Sequence, residues 1–290
     1  MNNRSLILAG FVCLALLTGC AKTDRSSAAG INAGGKHQQL TVKGSDTMVQ
    51  LTQAWAQDFM KAHPEISVTV TGGGSNTGIA ALLNQGTDIA NASRPMKKEE
   101  KATAAKNNVE PKEFAVAQDA LSIIVNPSNP ISELTIDQLA DIYLGKITNW
   151  KQLGGADMNI VANGRDSSSG TYVFFQEHVL KKQPFAVTVL NNPATTAIVE
   201  NVSQDSGAIG YVGLGYVSDK VKAIMIKKDS SSPAVHGTPE TVLGGEYPLS
   251  RPLFQYTAGE PAGAAKEWIN WIRGADGQAV VKKLGFVPIK

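Results

Sequence analysis

Residues 159–180, NIVANGRDSSSGTYVFFQEHVL, pass from one apolar stretch through an arginine, three serines, a glycine and a threonine into a second apolar stretch. NIVAN reads as a strand and TYVFFQEHVL as a helix. The serine cluster between them fits a flexible linker, a nucleophile on a tight turn, or a cradle of hydroxyls and backbone N–H groups for an anion.

The same junction occurs twice more, in VKGSDTM (42–48) and TGGGSNTG (71–78), each a strand entering a Gly and Ser/Thr loop that opens a helix. Helix N-termini present unpaired N–H groups and the positive end of the helix dipole, so each junction is a potential anion site. Ser45, Asp46, Thr47, Ser75, Ser169 and Thr171 place side-chain oxygens there; taken as single loops they read first as simple N-caps. Three such loops in one chain favour a ligand, because open α/β sheets bind ligands at the carboxyl ends of their strands.

Strand and helix patterns alternate along the rest of the chain. QLTVKG, ISVTVTG, DIANAS, ALSIIVN, GAIGYVG, KAIMI and PLFQYT read as strands. Helices are expected from Met48 to the stop at His63-Pro64, around Ile79–Leu83, around Ile136–Tyr143, and at 265–272 and 278–284. The alternation implies an α/β fold with largely parallel sheets.

The first 20 residues, MNNRSLILAGFVCLALLTGC, have one early charge, an apolar run too short to span a bilayer, and small residues before Cys20. This is the layout of an export signal, expected at 1–19. Both cysteines, Cys13 and Cys20, lie in it, so no disulfide is expected in the mature chain. LTGC resembles the lipobox of bacterial lipoproteins, which implies acylation of Cys20. Residues 20–38, rich in Ala, Gly and Ser, are expected to tether the lipid to a body starting near Gln39.

Charge and catalysis narrow the function. The chain has 27 Lys and Arg, of which Arg4 belongs to the leader, against 25 Asp and Glu. Such a balance argues against nucleic-acid capture. GGGSNTG lacks the Lys-Ser/Thr ending of a nucleotide P-loop, and GRDSSSG does not match the nucleophile elbow. His178, the nearest histidine to the serines, falls about 10 Å beyond Thr171 along a helix. With no base beside a serine and no metal-ligand spacing, neither an enzyme nor a metal or other cofactor is expected.

Taken in order, GSDTM, GGGSNTG, DIANASRPM, DALSIIVNPSNP, TNWKQLGG, GRDSSSGTY and SGAIGYVGLGY resemble the phosphate-binding lipoproteins of bacterial phosphate ABC transporters, in the shorter branch of that family. The resemblance implies a two-lobed periplasmic-binding-protein fold of type II, with a ligand cleft between lobes and a two-crossover hinge. The crossovers are expected near Gln118–Leu121 and Tyr247–Arg251, giving lobe 1 as 39–118 plus 247–290 and lobe 2 as 119–246. It implies that inorganic phosphate is bound and handed to the transporter's permease subunits and their ATPase. It also implies an exported protein held on the cell membrane by its lipid alone, facing the periplasm or cell exterior. Sulfate or molybdate binding, or a phosphatase-like hydrolase, are the rival readings.

Residue by residue, Ser45, Thr47 and the Met48 backbone match the family's first anion loop, Ser75 the second, and Arg165, Ser169, Gly170 and Thr171 the third. A dehydrated phosphate needs many short donors and a guanidinium able to bond two oxygens, which fits this set. Asp166 either orients Arg165 or is a solvated turn residue. Where longer family members carry an aspartate that accepts the phosphate proton, this chain has Arg94. Arg94 is expected in direct or near contact with phosphate, and Asp46 as the replacement acceptor.

Overall fold

The computed structural model describes residues 37–289; the leader, Cys13, Cys20 and nearly all of the expected tether lie outside the described residues. A ten-stranded mixed sheet carries the fold. Its main path runs β2 (Ile66–Thr71), β1 (Gln38–Gly44), β3 (Ile89–Ala92), β10 (Ser250–Thr257), β4 (Lys112–Val125), β8 (Ala208–Gly213), β6 (Val161–Arg165) and β7 (Leu190–Asn192). Off this path, β9 (Lys222–Lys227) pairs with β4 and with β5 (Glu133–Thr135). The helices are α1 (Val49–Ala62), α2 (Ser75–Leu83), α3 (Lys98–Lys106), α4 (Ile136–Tyr143), α5 (Gly170–His178), α6 (Thr195–Gln204), α7 (Pro239–Leu243), α8 (Gly263–Arg273) and α9 (Ala275–Lys283).

Along its main path the sheet is parallel only towards its two ends, with one further parallel pair, β5 with β9, off that path, which corrects the expectation of largely parallel pairing. β1 runs parallel to β2 and β3, and β6 to β7 and β8. At the centre, β10 is antiparallel to β3 and β4, and β4 is antiparallel to β8 and β9. The cause is the length of β4. Its residues Lys112–Ala120 pair with β10, and Leu121–Val125 pair with β8. One strand thus links both parts of the sheet, and β10 brings the chain back beside it in the opposite direction. No alternation of apolar and polar residues reveals that direction, because β4 from Val116 onward and β10 are buried on both faces apart from Gln118, Ser250 and Pro252.

Local chemistry sets most helix ends. α1 stops where Pro64 disfavours helical geometry at His63, whose N–H still reaches Phe59 O at 2.8 Å. α4 starts on a capping box: Gln138 N donates to Thr135 Oγ1 and Thr135 N to Gln138 Oε1, at 3.1 and 2.9 Å. α3, α6, α7, β5 and β7 escape the periodicity reading. α3 buries only Ala104, so its Lys- and Glu-rich sequence shows no apolar stripe.

Trp55 and Phe59 of α1 pack edge-on against Trp268 of α8, with ring centroids 6.5 and 5.2 Å apart. Trp55 Nε1 also donates to Gly277 O at 2.8 Å, tying α1 to α9. Trp55→Ala is expected to lower unfolding free energy by roughly 3–5 kcal/mol. Urea unfolding of the purified protein reads the loss, and a change under about 1 kcal/mol contradicts this packing role. A second core gathers Tyr143, Phe175 and Tyr211, with Phe175 stacked on Tyr211 at 4.2 Å, behind the end of β6. It fixes the strand that delivers Arg165.

Candidate functional site

The three strand–loop–helix junctions converge. Ser45, Thr47, Ser75, Ser169, Thr171 and Arg165 are each 2% exposed or less. Their chemistry at the helix ends differs. Only Ser169 is a cap: its Oγ accepts from Thr171 N at 3.1 Å and Tyr172 N at 3.3 Å, opening α5. Ser45 makes no side-chain cap, and Ser75 is already the first residue of α2. Their hydroxyls turn instead toward Ser93, just past β3. Ser45 Oγ donates to Ser93 Oγ at 2.9 Å, Ser93 N donates to Ser75 Oγ at 3.1 Å, and the Ser75 and Ser93 hydroxyls lie 3.4 Å apart. Thr47 and Thr171, 124 residues apart in sequence, share a hydrogen bond of 2.6 Å. Ser93 was missed as a site residue; its only sequence signal was its place before Arg94 in the SRP segment.

The loops also touch directly. Asn76 N donates to Ser168 O at 3.0 Å and Asn76 Nδ2 to Ser167 O at 2.8 Å, while Ser168 Oγ lies 3.1 Å from Gly73 O. The approach needs glycine twice. Gly74 holds φ +92°, and a Cβ there would sit 2.4 Å from Ser168 O; one on Gly170 would sit 2.2 Å from Ser75 Oγ. Met48, expected to offer its backbone N–H, donates it to Ser45 O at 3.0 Å. A 3-10 turn over 46–48 captures that donor locally, which corrects the expectation.

Arg165 is gripped on every side. Nε donates to Asn192 O, NH1 to Thr195 Oγ1, and NH2 to Pro193 O and to Asp46 Oδ2, the last at 2.8 Å. Its backbone N donates to Tyr211 OH, a phenol whose pKa burial pushes well up. Asp46, not Asp166, is the carboxylate that orients this guanidinium. Asp166 binds Ser168 N and Oγ within its own turn. Asp46 is held in turn by Tyr216 OH, which donates to its carbonyl at 2.7 Å.

Arg94 is 3% exposed, and its guanidinium faces a carboxylate rather than the hydroxyls. NH1 and NH2 donate to Glu100 Oε2 and Oε1 at 2.8 and 2.6 Å, and the rest of their donors go to Pro95 O and Asn76 Oδ1. Only Nε has no partner among the described residues. The expected direct contact is thereby reduced to one N–H group. A buried arginine must pair, and Glu100 one turn into α3 was the available anion.

A third buried arginine, Arg251, was not singled out. It pairs in register across β10 and β4 with Asp119, Nε and NH2 donating to Oδ2 at 3.2 and 2.9 Å. Burial pushes the Asp119 carboxyl up, opposed by the attraction of Arg251 and the N–H of Leu214. Arg165, Arg94 and Arg251 thus each carry their own carboxylate. His178 offers no base to the serines: its Nδ1 meets Phe174 O at 3.0 Å and its ring stacks on Phe174.

The site can therefore surround a small oxyanion with hydroxyl donors from three loops beside Arg165. Among the described residues Arg165 keeps a single NH1 proton free rather than the expected fork for two oxygens, and its charge is already balanced by Asp46. No helix among the described residues is long and apolar enough to cross a membrane. Residues 30–275 match the model of the PBP superfamily domain. Protein SphX of Synechococcus elongatus is 35% identical over 89% of this chain and 79% of its own length. The phosphate-binding protein PstS of Bacillus subtilis is 32% identical over 98% of this chain and 92% of its own. A Clostridium perfringens protein crystallised with bound phosphate superposes with a TM-score of 0.80 and 33% identity, over 87% of this chain and all of that one. With this mixed α/β sheet in the type II periplasmic-binding-protein arrangement, the chain belongs to the phosphate-binding PstS family of the PBP superfamily.

Proposed function

We propose that this protein binds inorganic phosphate outside the cytoplasmic membrane and presents it to the permease subunits of an ABC importer, performing no chemistry on it. The observation that carries the reading is the buried convergence of the Ser45, Thr47, Ser75, Ser93 and Thr171 hydroxyls beside Arg165. Hydroxyls that bond to one another in this arrangement can turn their protons to an anion, giving the many short donors that a dehydrated phosphate needs. Ser169 and Gly170 complete the third loop. Titration of intrinsic fluorescence with phosphate, arsenate and sulfate tests the reading. Saturable responses to phosphate and arsenate, with sulfate far weaker, are expected; a sulfate response as tight as that for phosphate overturns it in favour of a general oxyanion carrier.

The proposed lobes are 39–118 with 247–290, and 119–246, swinging about β4 and the approach to β10. Phosphate would bridge them and stabilise the closed form by its greater affinity for it, which is the form a transporter can recognise. Acylation of Cys20 would keep the carrier on the membrane by its lipid alone. Metabolic labelling with a fatty-acid analogue, lost in Cys20→Ser, would establish the anchor.

Asp46 both orients Arg165 and serves as proton acceptor for hydrogen phosphate. A buried acceptor rejects an anion that brings no proton to it. Asp46→Asn is therefore expected to weaken phosphate binding and narrow the phosphate-to-sulfate ratio. An unchanged ratio in calorimetric titration rejects the role.

A further inference from the structure

The Asp119–Arg251 pair is buried to the limit, at 0% and 3% exposed, at the point where β4 passes from β10 to β8. Burying two charges is weak evidence for stability, since an apolar pair of similar volume would serve as well. Its remaining hydrogen bonds indicate another use. Arg251 NH1 donates to Ser93 O at 3.2 Å, and NH2 donates to Thr171 Oγ1 at 3.0 Å. The guanidinium carbon also lies 5.1 Å over the ring of Phe174, one turn along α5 from Thr171. Asp119 Oδ1 accepts from Leu214 N at 2.9 Å, so the carboxylate is itself fixed.

A guanidinium only donates. Thr171 Oγ1 therefore accepts from Arg251, and its single proton is left for another acceptor, an anion or one of the neighbouring hydroxyls of Thr47 and Ser93 at 2.6 and 3.4 Å. An adjacent cation also polarises that O–H and strengthens it as a donor. Resting on the phosphate reading above, we propose that Arg251, held by Asp119, is a positioning residue that sets the Thr171 hydroxyl as a donor to the anion. Through the Ser93 carbonyl the same side chain anchors the residue where the Ser45 and Ser75 hydroxyls meet. The Asp119 partner keeps the Arg251 guanidinium from acting as a free counter-charge, so its influence on the anion passes through Thr171.

A double-mutant cycle separates this role from structural support. Arg251→Lys keeps the charge on Asp119 but cannot fork to Thr171 as well. Phosphate affinity is measured by calorimetry for wild type, Arg251→Lys, Thr171→Val and the double variant, with thermal melting in the absence of phosphate to show that each is folded. Arg251→Lys is expected to weaken binding about tenfold or more in the wild-type background and less than about threefold once Thr171 is valine. Equal losses in both backgrounds overturn the proposal while leaving phosphate binding intact. A wild-type protein that does not bind phosphate overturns the functional reading and this inference with it. If Arg251→Lys does not fold, the charge-free pair Asp119→Leu with Arg251→Met takes its place in the same cycle, with the same two outcomes.

Discussion

Replacing Arg165 by alanine is expected to weaken phosphate binding by two to three orders of magnitude. The side chain is 1% exposed, and its NH2 is bonded to Asp46. Truncation removes the cation and leaves the Asp46 carboxylate without its partner near the anion. Loss of one partner from a buried charge pair costs about 2–5 kcal/mol, and each 1.4 kcal/mol is about tenfold in affinity. Arg165 also donates to Asn192 O, Pro193 O and Thr195 Oγ1, so the ligand-free melting temperature should fall as well. Arg165→Lys distinguishes charge from geometry. It retains the cation but not the planar fork, and affinity intermediate between wild type and Arg165→Ala is expected. Near-normal phosphate affinity in Arg165→Ala, measured by calorimetry, would sink the site assignment.

Gly170→Ala is expected to reduce phosphate affinity by roughly 10- to 100-fold, the range that overpacking of about 1–3 kcal/mol produces. The new Cβ would lie 2.2 Å from Ser75 Oγ and 2.8 Å from both Ser75 Cβ and Ser93 Oγ. Rotating the Ser75 hydroxyl away does not relieve the contact with its Cβ, so the second and third loops must separate. Alanine is a better helix former than glycine by about 1 kcal/mol, and Gly170 opens α5, so the gain offsets only part of the clash and the ligand-free melting temperature should fall by a few degrees. Weak binding in a variant that still unfolds cooperatively is the expected signature. Tight binding in this variant would mean that the two loops do not need this approach to hold the anion.

The neutrality of the site gives these predictions a common basis. Each of its three buried arginines is matched by a carboxylate, Arg165 by Asp46, Arg94 by Glu100 and Arg251 by Asp119. An anion entering this environment gains from aligned hydroxyls and one shared guanidinium rather than from a surplus of positive charge. Such a site selects by the number and polarity of its hydrogen bonds, so a single misplaced donor or acceptor is felt strongly. It also explains why 27 basic and 25 acidic residues suffice for an anion-binding protein.

The three loops were legible in the sequence because their physics is local. A strand followed by Gly and Ser and then by a helix needs no distant contact to be recognised, and the order of motifs carried the family. Ser45, Thr47, Ser75, Arg165, Ser169, Gly170 and Thr171 all lie where those loops meet. Partners separated by scores of residues were not legible. Nothing near Arg251 points to Asp119, 132 residues earlier, and even Glu100, only six residues beyond Arg94, is not marked by the chain as its partner in preference to phosphate. Met48 illustrates the same limit at short range, since a 3-10 turn took the N–H that an open loop would have offered.

By itself the sequence determined the α/β class, the three anion-type junctions and the residue types available at them, because capping, hydrophobic period and loop chemistry act over a few residues. Only the tertiary structure decided which hydroxyls meet at Ser93, which carboxylate holds each arginine, and the antiparallel centre of the sheet. Those choices depend on where β4 and β10 carry the chain, and a buried charge takes the partner that packing places beside it.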